Sequence, residues 1–144
     1  MPSLTAPATD DRLRLAVVGA HLSGMALNDE LIELGATLDR RCPTSADYRL
    51  YLLPDTVPAK PGLVREPGFA GPGIEIEVWS LPAEAFGRFV AAIPGPLGIG
   101  KIRLADGGTV SGFLCEASAV TVAEEITTFG GWRAYMTAQR EAAA

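Results

Sequence analysis

The pattern of apolar and polar positions along the chain predicts a series of short strands. An apolar run closed by glycine, LRLAVVG (residues 13–19), is typical of a buried strand. Two further segments, ATLDRRC (residues 36–42) and YRLYLLP (residues 48–54), also predict strands. The segment GIGKIRLADGGTVSGFLCE predicts a hairpin with strands at residues 100–105 and 109–116, because the glycines between them permit the positive φ angles of a tight turn.

Another strand, IEIEVWSL (residues 74–81), alternates with a period of two. This period places Glu75, Glu77 and Trp79 on one face and the aliphatic residues on the other. Because charged residues on a half-exposed strand usually face water, we expect the two glutamates on the solvent side. The alternative is that the paired carboxylates carry out general acid–base chemistry.

Three helices complete the predicted set. Residues 28–35 (NDELIELG) begin with Asn28 as a helix cap and end with Gly35 as a stop signal. Residues 82–93 begin with Pro82, which fits the first helical position, and a Gly-Gly break precedes an amphipathic helix near the C-terminus. Together, the elements predict an α+β fold: a mixed, mostly antiparallel curved sheet or β-barrel with a few outer helices.

The predicted organisation is one domain with a short lead-in. Residues 1–12 are small, polar and proline-bearing, and we expect them to be disordered, with a single domain over residues 13–140. Within that domain, residues 54–73 are rich in proline and glycine and predict a long irregular connection. A chain of 144 residues is long enough to bury one core.

Charge and composition exclude several classes of partner. The net charge is -5 without any run of Lys or Arg, which argues against binding to nucleic acids or anionic membranes. The N-terminal residues lack the pattern of a signal peptide, so we expect a cytoplasmic protein. With two cysteines in no metal-ligand spacing and a single histidine, we expect neither a metal site nor a cofactor.

The candidate chemistry lies in the loop GAHLSG after the first predicted strand. Its histidine, His21, is the only side chain of the protein with an ordinary pKa near neutrality. The flanking glycines allow the loop amides to converge on an anion, so the predicted binding residues are Gly19, Ala20, Leu22, Ser23 and Gly24. The alternative is a histidine that only holds the loop in place through hydrogen bonds.

Several long blocks resemble a known family. They are VVGAHLSGMALNDELIELGATL, DYRLYLLP, PGLVR, IEIEVWSLPAEAFGRFVAAIPGPLGIGKIRLADGGTVSGFLCE and ITTFGGWRAYM, and they cover most of the chain beyond residue 13. These blocks resemble the C-terminal domain of allophanate hydrolases, and we expect the domain to stand alone, without the amidase domain that normally precedes it. That domain is similar in fold to γ-glutamylcyclotransferases.

The resemblance implies a role in urea and allophanate breakdown. In that family the amidase domain removes ammonia from allophanate, and the C-terminal domain is assigned the decarboxylation of the product, N-carboxycarbamate. The histidine of the loop, His21 here, is the implied proton-handling base. Cyclotransferase activity is not implied, because Val18, Gly19 and Ala20 replace the Tyr-Gly-Ser motif and residues 90–93 contain no acid.

We expect the ligand to be a small anionic, dicarboxylate-like molecule. The predicted pocket lies between the histidine loop, Tyr48 or Tyr51 on a neighbouring strand, and the proline-rich loop. Lys60 or Arg65 would offset the negative charge of the ligand.

The alternative to catalysis is a binding or assembly module. Such a module would recruit a separately encoded amidase or self-associate, and aromatic residues commonly anchor interfaces of this kind. The sequence offers Phe69, Trp79, Trp132 and Tyr135 as exposed anchors.

Overall fold

The computed structural model describes residues 11–144. Of the predicted lead-in, residues 1–10 lie outside the described residues, whereas Arg12 already begins the first strand. The elements follow in the order β1 Arg12–Val17, α1 Asn28–Glu33, β2 Thr37–Pro43, β3 Tyr48–Leu52, β4 Pro61–Arg65, β5 Glu75–Pro82, α2 Ala83–Ala91, β6 Leu97–Arg103, β7 Thr109–Cys115, β8 Glu124–Glu125 and α3 Trp132–Ala143. Short 3₁₀ turns occupy Ala117–Val120 and Thr127–Phe129.

The strands form two sheets. The larger has the order β2-β5-β1-β7-β6, and the smaller has the order β4-β3-β8. Every strand pair within residues 11–144 is antiparallel except β1 with β7, which pair in parallel at Ala16 and Gly112. The predicted α+β class with a mostly antiparallel sheet is therefore confirmed. The sheets are open, so the barrel form of the prediction does not hold for this part of the chain.

Glycine makes the parallel contact between β1 and β7 possible. A Cβ atom placed on Gly112 would lie 2.7 Å from the Cβ of Ala16 and 2.9 Å from its carbonyl oxygen. Two backbones approach this closely only where one residue has no side chain. The contact keeps the β6–β7 hairpin beside the end of β1, where the histidine loop begins.

The middle of β5 is buried on both faces. β5 lies between β2 and β1 in the larger sheet, and Ile76, Glu77, Val78 and Trp79 are all buried. The predicted solvent face of this strand is therefore wrong at Glu77 and Trp79, whereas Glu75 is exposed. Period two gives the alternation of side chains, but only neighbouring elements decide whether each face meets water.

Helices α1 and α2 each start one position from the prediction: α1 begins at Asn28, the predicted cap, and α2 begins at Ala83, after the predicted first helical residue Pro82. Leu27 is the residue before α1, and the Asn28 side chain instead donates from Nδ2 to the carbonyl oxygen of His21, at 2.9 Å. Pro82 ends β5 and immediately precedes α2, where its missing N–H leaves no helical bond unmade. Asn28 thus holds the histidine loop rather than capping the helix.

Candidate functional site

A cavity of about 580 Å³ opens beside the end of β1. Its walls come from the histidine loop, α1, the loop before β4, α2 and the start of β6, and also include Phe113 of β7. His21, Glu30, Glu33, Lys60 and Arg88 are its ionisable residues. The remaining walls are mostly apolar, which is typical of small-molecule sites.

The imidazole of His21 lies against the wall of this cavity, largely shielded from water. The exposed fraction of its side chain is 12%. The ring stacks on Phe113 at a centroid distance of 5.4 Å and meets Phe89 edge-on at 5.0 Å. These two contacts fix the plane of the ring, so His21 is preorganised rather than free to rotate.

Glu30 is the polar partner of the His21 ring. The Nε2 atom of His21 lies 2.8 Å from Oε1 of Glu30. Because an ionised carboxylate can only accept a hydrogen bond, this contact places a proton on Nε2 and leaves the lone pair of the neutral ring on Nδ1. A base oriented by a carboxylate is a common arrangement for proton transfer.

The surroundings of His21 hold its pKa below the ordinary value. Burial is the largest cause, since the apolar contacts disfavour the charged imidazolium, and the positive charge of Lys60 acts in the same direction. The hydrogen bond and the charge of Glu30 oppose this shift without overcoming it. His21 is therefore predominantly neutral at neutral pH, the form that can accept a proton.

The loop amides are used by the protein itself. Leu22 N–H donates to the Gly19 carbonyl at 2.9 Å, and Ser23 N–H donates to Oε1 of Glu77 at 2.7 Å. The Ser23 hydroxyl donates to Oε2 of the same carboxylate at 2.8 Å. The anion that occupies this part of the predicted nest is thus the buried side chain of Glu77.

Glu77 sits at the centre of a buried polar cluster. Its side chain is 1% exposed. In addition to Ser23 it accepts hydrogen bonds from Arg41 Nε at 3.0 Å, Arg133 Nη2 at 3.1 Å and Trp79 Nε1 at 3.1 Å. Burial alone would raise the pKa of Glu77, but the hydrogen bonds, led by those from Ser23, outweigh it and hold the pKa below its ordinary value.

Four of the predicted site residues meet at the cavity. His21, Gly19, Ala20 and Lys60 all line it, so the structure brings the histidine loop and the proline-rich loop together. Gly19 makes this approach possible, since a Cβ at this position would overlap the Pro61 ring.

The other predicted residues lie elsewhere. Leu22 is buried in the core, and Tyr48 is fully buried with its hydroxyl accepting a hydrogen bond from Arg103 N–H at 2.9 Å. Tyr51 lies on β3 and pairs with Glu125 of β8. Arg65 Nε donates to Asp47 Oδ2 at 2.8 Å. Ser23 is bonded to Glu77, as described above.

Gly24, the last residue of the predicted set, has φ +80 and turns the loop without lining the cavity. Tyr48, Tyr51 and Arg65, which were expected to border the pocket, do not line this cavity.

Sequence reasoning missed Glu30, Phe89 and Phe113. Glu30 has the character of an ordinary first-turn acid of α1, and Phe89 belongs to the apolar stripe of α2. The signal that was available is spacing: Glu30 follows His21 by nine residues across a loop that ends in a helix. Spacing across an irregular loop does not determine which side chains meet, so only the folded chain reveals the pair.

The described residues hold no group of three or more metal-ligating side chains. Within residues 11–144, no helix is long and apolar enough to cross a bilayer. The predicted exposed anchors also differ from the structure: Trp79, Trp132 and Tyr135 are buried. Phe69 is half-buried, with the Arg49 guanidinium 3.8 Å from its ring centroid.

The fold is that of a small α+β domain of the γ-glutamylcyclotransferase-like class. Solved structures share the fold: Kluyveromyces lactis allophanate hydrolase has a TM-score of 0.84 and 42% identity over 88% of this chain and 21% of that chain. A uropathogenic E. coli-specific protein, c4763, has a TM-score of 0.79 and 36% identity over 88% of this chain and 96% of that one.

Sequence comparison gives the family. The profile of the allophanate hydrolase C-terminal domain matches residues 13–137. Urea amidolyase of Lachancea kluyveri is 43% identical over 130 residues, which is 88% of this chain and 7% of that protein. The chain belongs to the allophanate hydrolase C-terminal domain family, and it spans only a small part of the curated relatives it matches.

Proposed function

We propose that this domain acts in urea and allophanate breakdown by decarboxylating N-carboxycarbamate, with His21 handling the proton. The observation that carries the proposal is the neutral, ring-stacked imidazole of His21 at the wall of the cavity, hydrogen-bonded to Glu30 at 2.8 Å. Membership of the allophanate hydrolase C-terminal domain family supports the pathway.

The reaction requires one proton at nitrogen. As the bond between nitrogen and one carboxyl carbon breaks, its electron pair moves to nitrogen and CO2 leaves. A proton taken up by Nδ1 of His21 from solvent and passed to that nitrogen leaves carbamate as the second product. Glu30 would stabilise the transient imidazolium through Nε2, and a lowered pKa makes the imidazolium a ready donor.

Lys60 supplies the positive charge that this substrate needs. It lines the same cavity as His21, and its charge is close enough to lower the pKa of that ring. A carboxylate of the substrate held by Lys60 would lie next to the imidazole. Holding the substrate in a fixed orientation beside the proton donor supplies a large part of the rate acceleration when the reaction barrier is small.

The direct test is the rate of CO2 release from N-carboxycarbamate generated freshly by an added amidase. We expect the protein to accelerate this release, His21→Gln to remove the acceleration, and Arg14→Gln, on the far side of β1, to keep it. A His21→Gln protein that remains folded by circular dichroism and releases CO2 at the wild-type rate would rule out the catalytic role.

A second function, a non-catalytic module for an amidase, is favoured by the size of the relatives. This chain corresponds to 21% of Kluyveromyces lactis allophanate hydrolase, so the matched region stands beside other regions in that protein. Light scattering of the domain mixed with a separately expressed amidase tests this function. A stable complex whose formation is unaffected by His21→Gln would favour assembly over catalysis.

A further inference from the structure

The cavity beside His21 is much larger than the small dianion proposed as its substrate. Its volume is about 580 Å³. Cavities of roughly 300–1,000 Å³ hold drug-sized ligands. N-carboxycarbamate is no larger than malonate, so it would leave most of the cavity unfilled.

Much of the cavity lining consists of apolar side chains. We call these side chains the apolar wall of the cavity and define it by Leu34, Phe89, Ile93, Leu97 and Phe113. Ile93 and Leu97 are only partly buried, so a ligand could still remove part of their apolar surface from water. Burial of such surface favours a ligand with an apolar group of its own.

One cation of the cavity is available to a carboxylate. Lys60 and Arg88 are balanced by Glu30 and Glu33, all of which line the cavity. Arg88 donates from Nη2 to Glu84 at 2.6 Å, one helical turn away. Within residues 11–144 Lys60 has no salt-bridge partner, so it is the one cavity cation free to bind a carboxylate.

We propose that this cavity binds amphipathic monocarboxylates, with the carboxylate held by Lys60 and an aliphatic or aromatic group against the apolar wall. One anionic group meets one uncommitted cation, and one apolar group meets the apolar wall. The proposal goes beyond decarboxylation of N-carboxycarbamate and does not depend on it, since it concerns which ligands the cavity holds rather than the reaction at His21.

The single histidine offers a direct reporter of binding. The chain has one His, so the imidazole protons give one set of NMR signals, and these belong to a ring on the cavity wall. Titrations with acetate, butanoate and hexanoate should shift these signals with increasing affinity, by roughly fourfold for each added methylene. Hexanoate should bind at least about tenfold more tightly than malonate on the same scale.

Two variants and a control distinguish the contribution of Lys60 from that of the apolar wall. Leu97→Gln should flatten the dependence on chain length, whereas Leu13→Gln, at a similar partly exposed leucine of β1 outside this cavity, should preserve it. Lys60→Gln should weaken the binding of every monocarboxylate by a similar factor and leave the chain-length dependence intact. Because Leu13, Lys60 and Leu97 retain some exposure, their replacement should leave the fold intact.

Three results would overturn the proposal. The first is an affinity that does not rise from acetate to hexanoate. The second is malonate binding more tightly than hexanoate. The third is a dimer in light scattering that dissociates on Leu97→Gln, because the apolar wall would then be an interface between two copies of the chain.

Discussion

The backbone N–H of Ser23 donates a hydrogen bond of 2.7 Å to the carboxylate of Glu77, 54 positions further along the chain. This bond joins the loop that carries His21 to the middle of β5. Arg133 of α3 strengthens the junction, since it donates both to the Ser23 carbonyl, at 3.0 Å, and to Glu77, at 3.1 Å. The conformation of the histidine loop therefore depends on residues from a distant strand and from the C-terminal helix.

Replacing the buried carboxylate should destabilise the whole domain. Glu77→Gln keeps the shape of the side chain but removes the charge opposite Arg41 and Arg133 and turns one acceptor into a donor beside Ser23. We expect a loss of about 2–4 kcal/mol in the free energy of unfolding, measured with urea. Glu75→Gln, on the exposed part of the same strand, should change it by less than about 0.5 kcal/mol.

The stabilising effect of Glu77 should also depend on pH. Its pKa in the folded protein lies below the ordinary value, so the unfolded chain binds a proton more readily. The contribution is fully present above the unfolded pKa of about 4.3 and is lost as pH falls through the folded pKa. The difference in unfolding free energy between wild type and Glu77→Gln should therefore shrink in acid. A difference that stays constant to low pH would contradict the conclusion that Glu77 is ionised in the folded protein.

The neighbours of His21 should shift its titration in opposite directions. Lys60→Gln removes a positive charge and should raise the pKa of His21, whereas Glu30→Gln removes a hydrogen-bonded carboxylate and should lower it further. The NMR titration of the single histidine measures both shifts. Arg14→Gln should leave the midpoint unchanged, and shifts of the same sign for Lys60→Gln and Glu30→Gln would be inconsistent with the described geometry.

The same lowered pKa predicts weaker stability in mild acid. Burial holds the pKa of His21 below its ordinary value, so protonation favours the unfolded chain. The free energy of unfolding should begin to fall as pH drops below about 6.5, the pKa of histidine in the unfolded chain. The loss due to His21 should be complete below the pKa of His21 in the folded protein. In the His21→Gln protein this part of the pH dependence should be absent, as followed by thermal unfolding between neutral and mildly acidic pH.

Gly19 should tolerate no side chain. A Cβ there would overlap Cδ of Pro61 and lie 2.5 Å from its Cγ, which would push the proline-rich loop away from the histidine loop. We expect Gly19→Ala to cost about 1–3 kcal/mol in unfolding free energy. Gly87→Ala in α2 is the control: a Cβ there meets nothing within 4 Å, and alanine should stabilise the helix by about 0.5–1 kcal/mol.

The sequence alone determined the elements and the loop of interest. Local signals were sufficient: period-two alternation in residues 74–81, the glycine turn at Asp106 and Gly107, and the amphipathic stripe of α2 all depend on residues close together in the chain. The resemblance of the long blocks likewise identified the family that the comparisons confirm. His21 was located because it is the single histidine and follows a buried strand.

Tertiary structure alone decided what surrounds His21 and where Glu77 points. Glu30, Phe89 and Phe113 come from three different elements, and no local pattern specifies that they meet at one ring. The period-two pattern of β5 predicts that Glu77 is exposed. It is buried instead, because Ser23 and Arg133, which are distant in sequence, donate hydrogen bonds to its carboxylate. A charge can leave water only where such partners converge, and their convergence is a property of the folded chain.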